Sequence, residues 1–491
     1  MTEMEGLTVA VAGMGPMGRG IARVFRRAGA TVIVADLTPE LTQAGVDAIA
    51  AESAADDEPV TVVGLPLAEA VAQADLLVEA IVEKMEAKAA LLQSVAAVGN
   101  PRLLIASNTS SLSVGEMGKE FGDPTRVAGM HFFNPPTKMR LVEVIAGAGT
   151  SEETIDRLTS LVRSAGKEPV ACKDTPNFIV NRVCRPLYYE AQLLVMQGVE
   201  PAVVDAAASG GLGHPMGPLT LLDFTGLHTH LGSSETAQRE FGDPKYRPIP
   251  IVRGLVRNGM TGRAAGRGFY DYAAEKPRAA IARVTRTAAG EGMATATFVG
   301  PSADPVDERE RADVVVYACH RAPTAADVEA VAALAERGPV VVDSSDVGWL
   351  ELLPTGAEWA RVHRHDGAPF LEIVADAAAG IAPGHGVELL LLALGATGVE
   401  VPALPGLVAD RLAHCMANEA YFVVEEGTAS RADVDTALRL GMNHPRGPFE
   451  HVERAGLGAV HAGLASMLTA FGDSRYRSSM LMRRELAGAA R

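Results

Sequence analysis

Cysteine is scarce: Cys172, Cys184, Cys319 and Cys415 are the only four in 491 residues, with no CxxC spacing among them. They supply neither a disulfide scaffold nor a thiolate cluster, fit a reducing compartment, and read as core residues. Long apolar runs are missing too. The longest, Leu389–Leu394, is closed by Glu388 and Gly395, far short of the roughly 20 residues that a membrane span needs. The chain begins with Glu3 and Glu5 ahead of a short apolar run, which is no leader pattern. A cytoplasmic protein with no membrane partner is expected. Positive charge is in deficit, with Lys+Arg 44 against Asp+Glu 60 and a net charge of −16. No basic patch stands out, so nucleic acid is not an expected partner. No metal site is expected either. With 48% hydrophobic residues, a largely disordered chain is excluded, and the length suggests about three or four domains.

The glycines are placed with more purpose. Leu7–Ala12 reads as a short strand that runs straight into Gly13-Met14-Gly15-Pro16-Met17-Gly18. An apolar-periodic helix with Ile21, Val24 and Phe25 follows, then a second strand, Thr31–Ala35, ending at Asp36. Strand, glycine turn, helix, strand and acid open a dinucleotide-binding unit. Gly13, Gly15 and Gly18 allow the tight turn, the close approach of a pyrophosphate and the close helix–strand contact. Pro16 is tolerated in a first helical turn, where no amide partner is lost. Asp36 would accept ribose hydroxyls and repel a 2′-phosphate, favouring NAD over NADP.

Further strands are expected at Leu76–Val82 and Leu103–Ser107, around a helical stretch with Lys88, Leu91 and Leu92. This alternation predicts a parallel, doubly wound sheet. Ser110 follows at the carboxyl end of a strand, where such sheets place ligands. His131 closes Arg126–Met130, and Glu143 sits inside the apolar strand Leu141–Ile145. A carboxylate there is costly unless paired, and His131 is the expected partner. Oxidising a secondary alcohol requires a proton acceptor; an imidazole held by a carboxylate suits the task. Ser113, heading Ser113-Val114-Gly115-Glu116, reads as a helix cap, leaving Ser110 to face the ligand. Downstream, Thr175 as cap and Pro176 in the first turn predict a helix from Phe178 to Gln197, kinked at Pro186 and stopped by Gly198. Asn181 is a polar amide among Phe178, Ile179, Val180 and Val183. The unit closes on Gly266-Arg267-Gly268-Phe269-Tyr270-Asp271-Tyr272, and Ala273–Gly292 reads as a connector.

The second half repeats the first. His214-Pro215-Met216-Gly217-Pro218 is echoed by His444-Pro445-Arg446-Gly447-Pro448, and Phe241-Gly242-Asp243 by Phe471-Gly472-Asp473, both 230 residues on. Pro176–Arg182 matches Pro405–Arg411 at 229. Ala312–Val316 resembles Ala74–Val78, and Phe370–Val374 resembles Leu141–Ile145. No glycine-rich loop precedes Ala312, so the second copy is expected to lack the nucleotide half. The counterpart of Ser110 falls at about Val347, and Asp410 replaces Asn181. One active site per chain is predicted.

Ser107–Ser111, His131-Phe132-Phe133-Asn134-Pro135, Leu141-Val142-Glu143-Val144, Asp174–Arg182 and His214–Pro218 resemble the L-3-hydroxyacyl-CoA dehydrogenase family, in order over about residues 6–272. The duplication resembles its long bacterial 3-hydroxybutyryl-CoA and 3-hydroxyadipyl-CoA dehydrogenase type. The resemblance implies that His131 is the general base, Glu143 its orienting partner, and Ser110 and Asn181 donors to the substrate oxygen and the catalytic centre. It implies NAD contacts from Glu83, Lys88, Ser110 and Asn134 beside the Gly13–Gly18 loop. The implied reaction is oxidation of a short or medium (S)-3-hydroxyacyl-CoA. A free 3-hydroxy acid dehydrogenase and a noncatalytic NAD-binding protein are the alternatives. In this family a long helical hairpin helps to bind CoA; here Leu37–Gln73 reads as little beyond one short helix and the acidic Asp56-Asp57-Glu58. The family's lysine before the closing Gly-Phe-Tyr is replaced by alanine at Ala264. The expected architecture is a Rossmann-type α/β NAD-binding domain (1–173), an all-α substrate and dimerisation domain (174–278), a degenerate partial Rossmann-like repeat (279–400) and a second helical domain (401–491). A homodimer is expected, or an internal pseudo-partner formed by the second helical domain.

Overall fold

The computed structural model describes residues 3–56, 59–273, 294–302, 312–364 and 369–489. Asp57, Glu58 and nearly all of the expected connector lie outside them.

Short β-branched runs build the first sheet: β1 (Thr8–Ala12), β2 (Thr31–Ala35), β3 (Val63–Gly64), β4 (Leu76–Glu79), β5 (Leu104–Ser107), β6 (Val127–Phe132), β7 (Leu141–Ala146) and β8 (Glu168–Lys173). Their spatial order is β3-β2-β1-β4-β5-β6-β7-β8. Val9, Val11, Val32, Val34, Leu76 and Val78 are buried, as strands covered by helices on both faces require. The expected parallel sheet is correct with one exception: β6 and β7 run antiparallel. Residues 133–140 link them, too few for the crossover of a dozen or more that a parallel return needs. The stretch Leu37–Gln73 is richer than expected. It holds the 17-residue helix Pro39–Ala55, β3, and a second helix, Leu67–Gln73.

The single helix expected from Phe178 to Gln197 is two helices, Val180–Val183 and Arg185–Met196, broken at Cys184. Pro186 sits in the first turn of the second helix and has no amide with which to continue the ladder. Thr175 and Pro176 belong to a turn ahead of the helix, with Asn177 and Phe178 at φ 66° and 50°.

The second sheet contains β9 (Ala296–Val299), β10 (Val314–Ala318), β11 (Val340–Asp343), β12 (Ala357–His363), β13 (Phe370–Val374) and β14 (Thr397–Val401), in the order β14-β13-β12-β11-β10-β9. β9 pairs in parallel with β10, as β1 does with β4. Gly300 follows β9 at φ +104°, and a Cβ there would stand 2.8 Å from the Ala318 carbonyl oxygen. Gly13 has φ +95° and the same relation, 2.7 Å, to Ala80. The second copy therefore retains the first strand and first glycine of a nucleotide half, contrary to the expected complete loss. Counterparts of β2 and β3 are absent among the described residues.

Two compact units emerge, and neither is one stretch of chain: Met1–Arg182 with Glu426–Asn443, and Val183–Glu425 with His444–Arg491. In the first unit, helix Arg431–Gly441 from the second copy packs against β7 and β8. Its last residue is glycine because a Cβ on Gly441 would stand 2.8 Å from Leu141 and 3.1 Å from Val180. Glu426 clamps the buried Arg182 through two bonds of 2.7 and 2.8 Å. In the second unit the equivalent first-copy helix, Pro201–Leu212, packs against β12, β13 and β14, with Gly210 against the Phe370 ring. The copies have exchanged one helix each.

Helix Arg185–Met196 and helix Ala409–Glu425 also interlock within the second unit. Buried Glu190 accepts from Arg411 at 2.6 Å and Tyr476 at 2.9 Å. Its counterpart Glu419 accepts from Lys245 at 2.7 Å and from the Tyr246 hydroxyl. Such reciprocity is the mark of an isologous contact.

Candidate active site

On the antiparallel pair β6–β7, His131 and Glu143 are direct cross-strand neighbours, which places their side chains within reach. Nδ1 of His131 lies 2.7 Å from Oε2 of Glu143. The two residues are 5% and 0% exposed. Oε1 of Glu143 accepts the amides of Ile179 at 3.1 Å and Val180 at 2.9 Å. Asn177 and Phe178 turn those amides inward from left-handed backbone, a conformation that costs a non-glycine residue about 1–3 kcal/mol. With both carboxylate oxygens accepting, Nδ1 carries the proton and Nε2 presents its lone pair. Nε2 is 3.2 Å from the Ser110 hydroxyl oxygen. Phe133 and Phe178 flank the imidazole, with ring centres 4.6 and 5.9 Å away.

Ser110 is held from below. Oε1 of Glu83 accepts the Ser110 amide at 2.8 Å, the Ser111 amide at 3.2 Å and the Thr109 hydroxyl at 2.7 Å. Lys88 is 1% exposed; it sits 2.6 and 2.8 Å from the oxygens of Glu79 and 3.4 Å from Glu83. Its charge is thus shared between two carboxylates at the base of the Ser110 loop. A lysine on a helix does not announce the buried Glu79 beneath it. Three supporting residues escaped the sequence reading. Glu79 ends an apolar strand, the same signal that singled out Glu143. Asn108 accepts the Phe132 amide at 2.8 Å, tying the Ser110 loop to the strand of His131. Asp174 accepts from the Ser113 hydroxyl and the Gly115 amide, both at 2.9 Å. Ser113 caps its helix by accepting the Glu116 amide at 3.2 Å. Asn181 directly follows Val180; it is half-buried, and its side chain forms no hydrogen bond to another described residue. Asn134 is exposed beyond His131, in a loop anchored where Pro136 packs against Gly20.

The glycine turn lies between β1 and helix Pro16–Arg27, with Gly15 as N-cap, Pro16 as its first residue and Met17 behind it. A Cβ on Gly18 would stand 1.7 Å from the Gly13 carbonyl oxygen, so only glycine fits there. A Cβ on Gly15 would meet nothing within 4 Å. That open face beside a helix start suits a pyrophosphate. Asp36, at the end of β2, accepts the Met14 amide at 2.6 Å, which brings its carboxylate to the turn.

The 3-hydroxyacyl-CoA dehydrogenase NAD binding domain matches residues 8–175, and that family's C-terminal domain matches twice, over 178–272 and 406–489. The 3-hydroxyadipyl-CoA dehydrogenase of Escherichia coli strain K12 is 33% identical over 495 residues, covering 97% of this chain and 96% of its own. The chain belongs to the 3-hydroxyacyl-CoA dehydrogenase family. It is an oxidoreductase, and NAD is its cofactor. A crystal structure of 3-hydroxybutyryl-CoA dehydrogenase from Escherichia coli K12 has a TM-score of 0.79 at 31% identity, with 99% of both chains covered. The probable 3-hydroxybutyryl-CoA dehydrogenase of Bacillus subtilis strain 168 is 40% identical over 282 residues, 55% of this chain and 98% of its own. Among the described residues of this dehydrogenase, no helix is long and apolar enough to cross a membrane.

The second copy of the dehydrogenase keeps the carboxylate of this pair but not the histidine opposite it. Glu372 receives the Val408 and Ala409 amides as Glu143 receives those of Ile179 and Val180. The residue opposite Glu372 is Arg361, where the first copy has His131. Arg361 is bound by Asp343 at 3.0 Å and Asp410 at 2.8 Å, in the places of Asn108 and Asn181. Val362 donates its amide to Asp343 as Phe132 does to Asn108. That register puts Ser345, not Val347, in the place of Ser110. His363 lies two residues past Arg361 and turns Nε2 into Glu372 at 2.6 Å.

Proposed function

We propose that the enzyme oxidises a short- or medium-chain (S)-3-hydroxyacyl-CoA to the 3-ketoacyl-CoA, reversibly, with His131 as the general base. The observation that carries this reading is the outward-facing Nε2 of an imidazole whose other nitrogen is locked to Glu143. The names of relatives spanning the whole chain support the acyl-CoA substrate.

Bound NAD supplies the hydride acceptor. The Gly13–Gly18 turn with Pro16 and Met17 would cradle its pyrophosphate, Asp36 its ribose, while Glu83, Lys88, Ser110 and Asn134 would line the nicotinamide side. His131 takes the hydroxyl proton at Nε2, and Glu143 steadies the imidazolium that results. The Ser110 hydroxyl donates to the substrate oxygen, and the Asn181 amide would donate to the catalytic centre. In the reverse direction His131 returns the proton. In the second copy Arg361 stands in the place of His131, in keeping with one active site per chain.

The test is NADH-linked turnover over a series of 3-ketoacyl-CoA chain lengths, with free acetoacetate as control. Preference for a thioester is expected; faster turnover of the free acid would assign the site to free 3-hydroxy acids. His131→Ala must abolish turnover, and a variant retaining full activity would remove the assigned base. We read the exchanged helices and the Glu190 and Glu419 pairs as the internal pseudo-partner. Light scattering then gives the mass of a single chain, whereas an obligate dimer would count against that reading.

A further inference from the structure

Met14, inside the nucleotide turn, is held at both of its backbone polar groups. Its amide donates to Asp36 at 2.6 Å, and its carbonyl accepts Nη1 of Arg19 at 2.9 Å. Arg19 reaches back to the turn from helix Pro16–Arg27, and its Nε donates to Glu52 at 2.8 Å on helix Pro39–Ala55. A guanidinium is planar, so fixing Nε also aims Nη1. Glu52 is braced in turn: it lies 3.5 Å from Nη1 of Arg23, a buried residue that also pairs with Asp56.

Stability gives little reason for this chain of bonds. The Met14 side chain already fastens the turn to helix Pro39–Ala55, where a Cβ on Gly45 would stand 2.4 Å from it. The Arg19 and Glu52 side chains are 23% and 37% exposed, and ion pairs so exposed contribute little. What the bond to Arg19 does set is a direction. The Met14–Gly15 peptide is trans, and in a trans peptide the carbonyl and the next amide point opposite ways. Drawing the Met14 carbonyl to Arg19 therefore turns the Gly15 N–H away from Arg19. That N–H has no acceptor among the described residues, and the space beside Gly15 is open. Pro16, the next residue, has no N–H to offer. Gly15 thus supplies the amide at a corner where the first helical turn lacks one.

We propose that Arg19 is a positioning residue for the NAD pyrophosphate. Braced by Glu52, it holds the Met14 carbonyl so that the Gly15 N–H faces the phosphates, and its guanidinium acts through that peptide without touching the cofactor. The proposal rests on NAD as the cofactor and is independent of the acyl substrate.

The test is NADH binding to the full chain, read by fluorescence with no substrate present. Arg19→Met removes the donor and keeps the length; Kd should rise at least about tenfold, the worth of one hydrogen bond from a charged donor. Arg19→Lys keeps a donor without the planar fork and should recover part of that loss. Glu52→Ala leaves Nη1 unaimed and should raise Kd about threefold or more. In turnover, KM for NADH should rise in step, while KM for acetoacetyl-CoA stays within about threefold of the parent. Equal NADH affinity in the parent and Arg19→Met would overturn the proposal. So would a lysine variant no better than the methionine one, or both KM values rising together with a lowered melting temperature, since these mark a loosened domain. If Arg19→Met does not fold, Glu52→Ala decides, and unchanged NADH affinity there overturns the proposal.

Discussion

Replacing Glu143 by glutamine keeps the shape and removes one acceptor, and the hydrogen bonds around it say what must follow. The carboxylate satisfies three donors: Nδ1–H of His131 and the amides of Ile179 and Val180. A glutamine carbonyl serves one side only. If it faces the two amides, its NH₂ group faces Nδ1, which must then accept; the imidazole proton moves to Nε2 and the base is lost. If it faces His131, two buried amides confront an NH₂ group, at a cost of about 1–3 kcal/mol each. The first arrangement wins, and with it the wrong tautomer. The same error in a serine hydrolase triad lowers kcat by about 10⁴, and general-base contributions run at about 10²–10⁴. Glu143→Gln should therefore reduce kcat by about 10²–10⁴ with KM little changed. The assay is NADH oxidation with acetoacetyl-CoA, alongside a circular dichroism melt to establish folding. A folded variant within about threefold of the parent kcat would refute the tautomer argument.

Asp36→Asn keeps an acceptor for the Met14 amide and removes the charge that repels a 2′-phosphate; the NAD to NADP preference in kcat/KM should fall at least about tenfold, and an unchanged ratio would dissociate Asp36 from the ribose. Glu426→Gln strips the charged partner from the buried Arg182, beside Asn181, and should destabilise the first unit by about 1–3 kcal/mol; an unaltered calorimetric melt would show that the exchanged segment adds no stability. Burial pushes His444 down to about 4 and His451 to about 3. An unfolded chain protonates these imidazoles near 6.5, so folding stability is full above that pH and falls as the pH drops from 6.5 towards 4. Hydrogen exchange should show the second unit opening first over this range, and a urea midpoint that stays flat from pH 7 to 5 would contradict it.

The nucleotide turn and the His131–Glu143 pair were readable because each breaks a local rule visibly: glycines between a strand and a helix, a carboxylate in an apolar strand. The Lys88–Glu79 pair was hidden because Lys88 lies on a helix and Glu79 ends the strand before it, and a contact between two elements leaves no mark on either segment alone. Ser345 was missed for a similar reason. Its place is set by the Asp343–Val362 bond between β11 and β12, and β12 pairs with β13 so that Arg361, not the nearby His363, opposes Glu372. The helix exchange was equally hidden. Amphipathic periodicity in Arg431–Gly441 says that one face is buried, not whose sheet buries it.

That exchange also sets a timetable. Arg182 and Glu426 are 244 residues apart, and ribosomes add about 5–20 residues per second. The sheet carrying His131 is synthesised on the order of ten to fifty seconds before the helix that covers β7 and β8 leaves the ribosome. During that interval a nascent chain exposes an apolar ledge at the edge of its future active site, and this is where chaperones, or a neighbouring nascent chain, would find it.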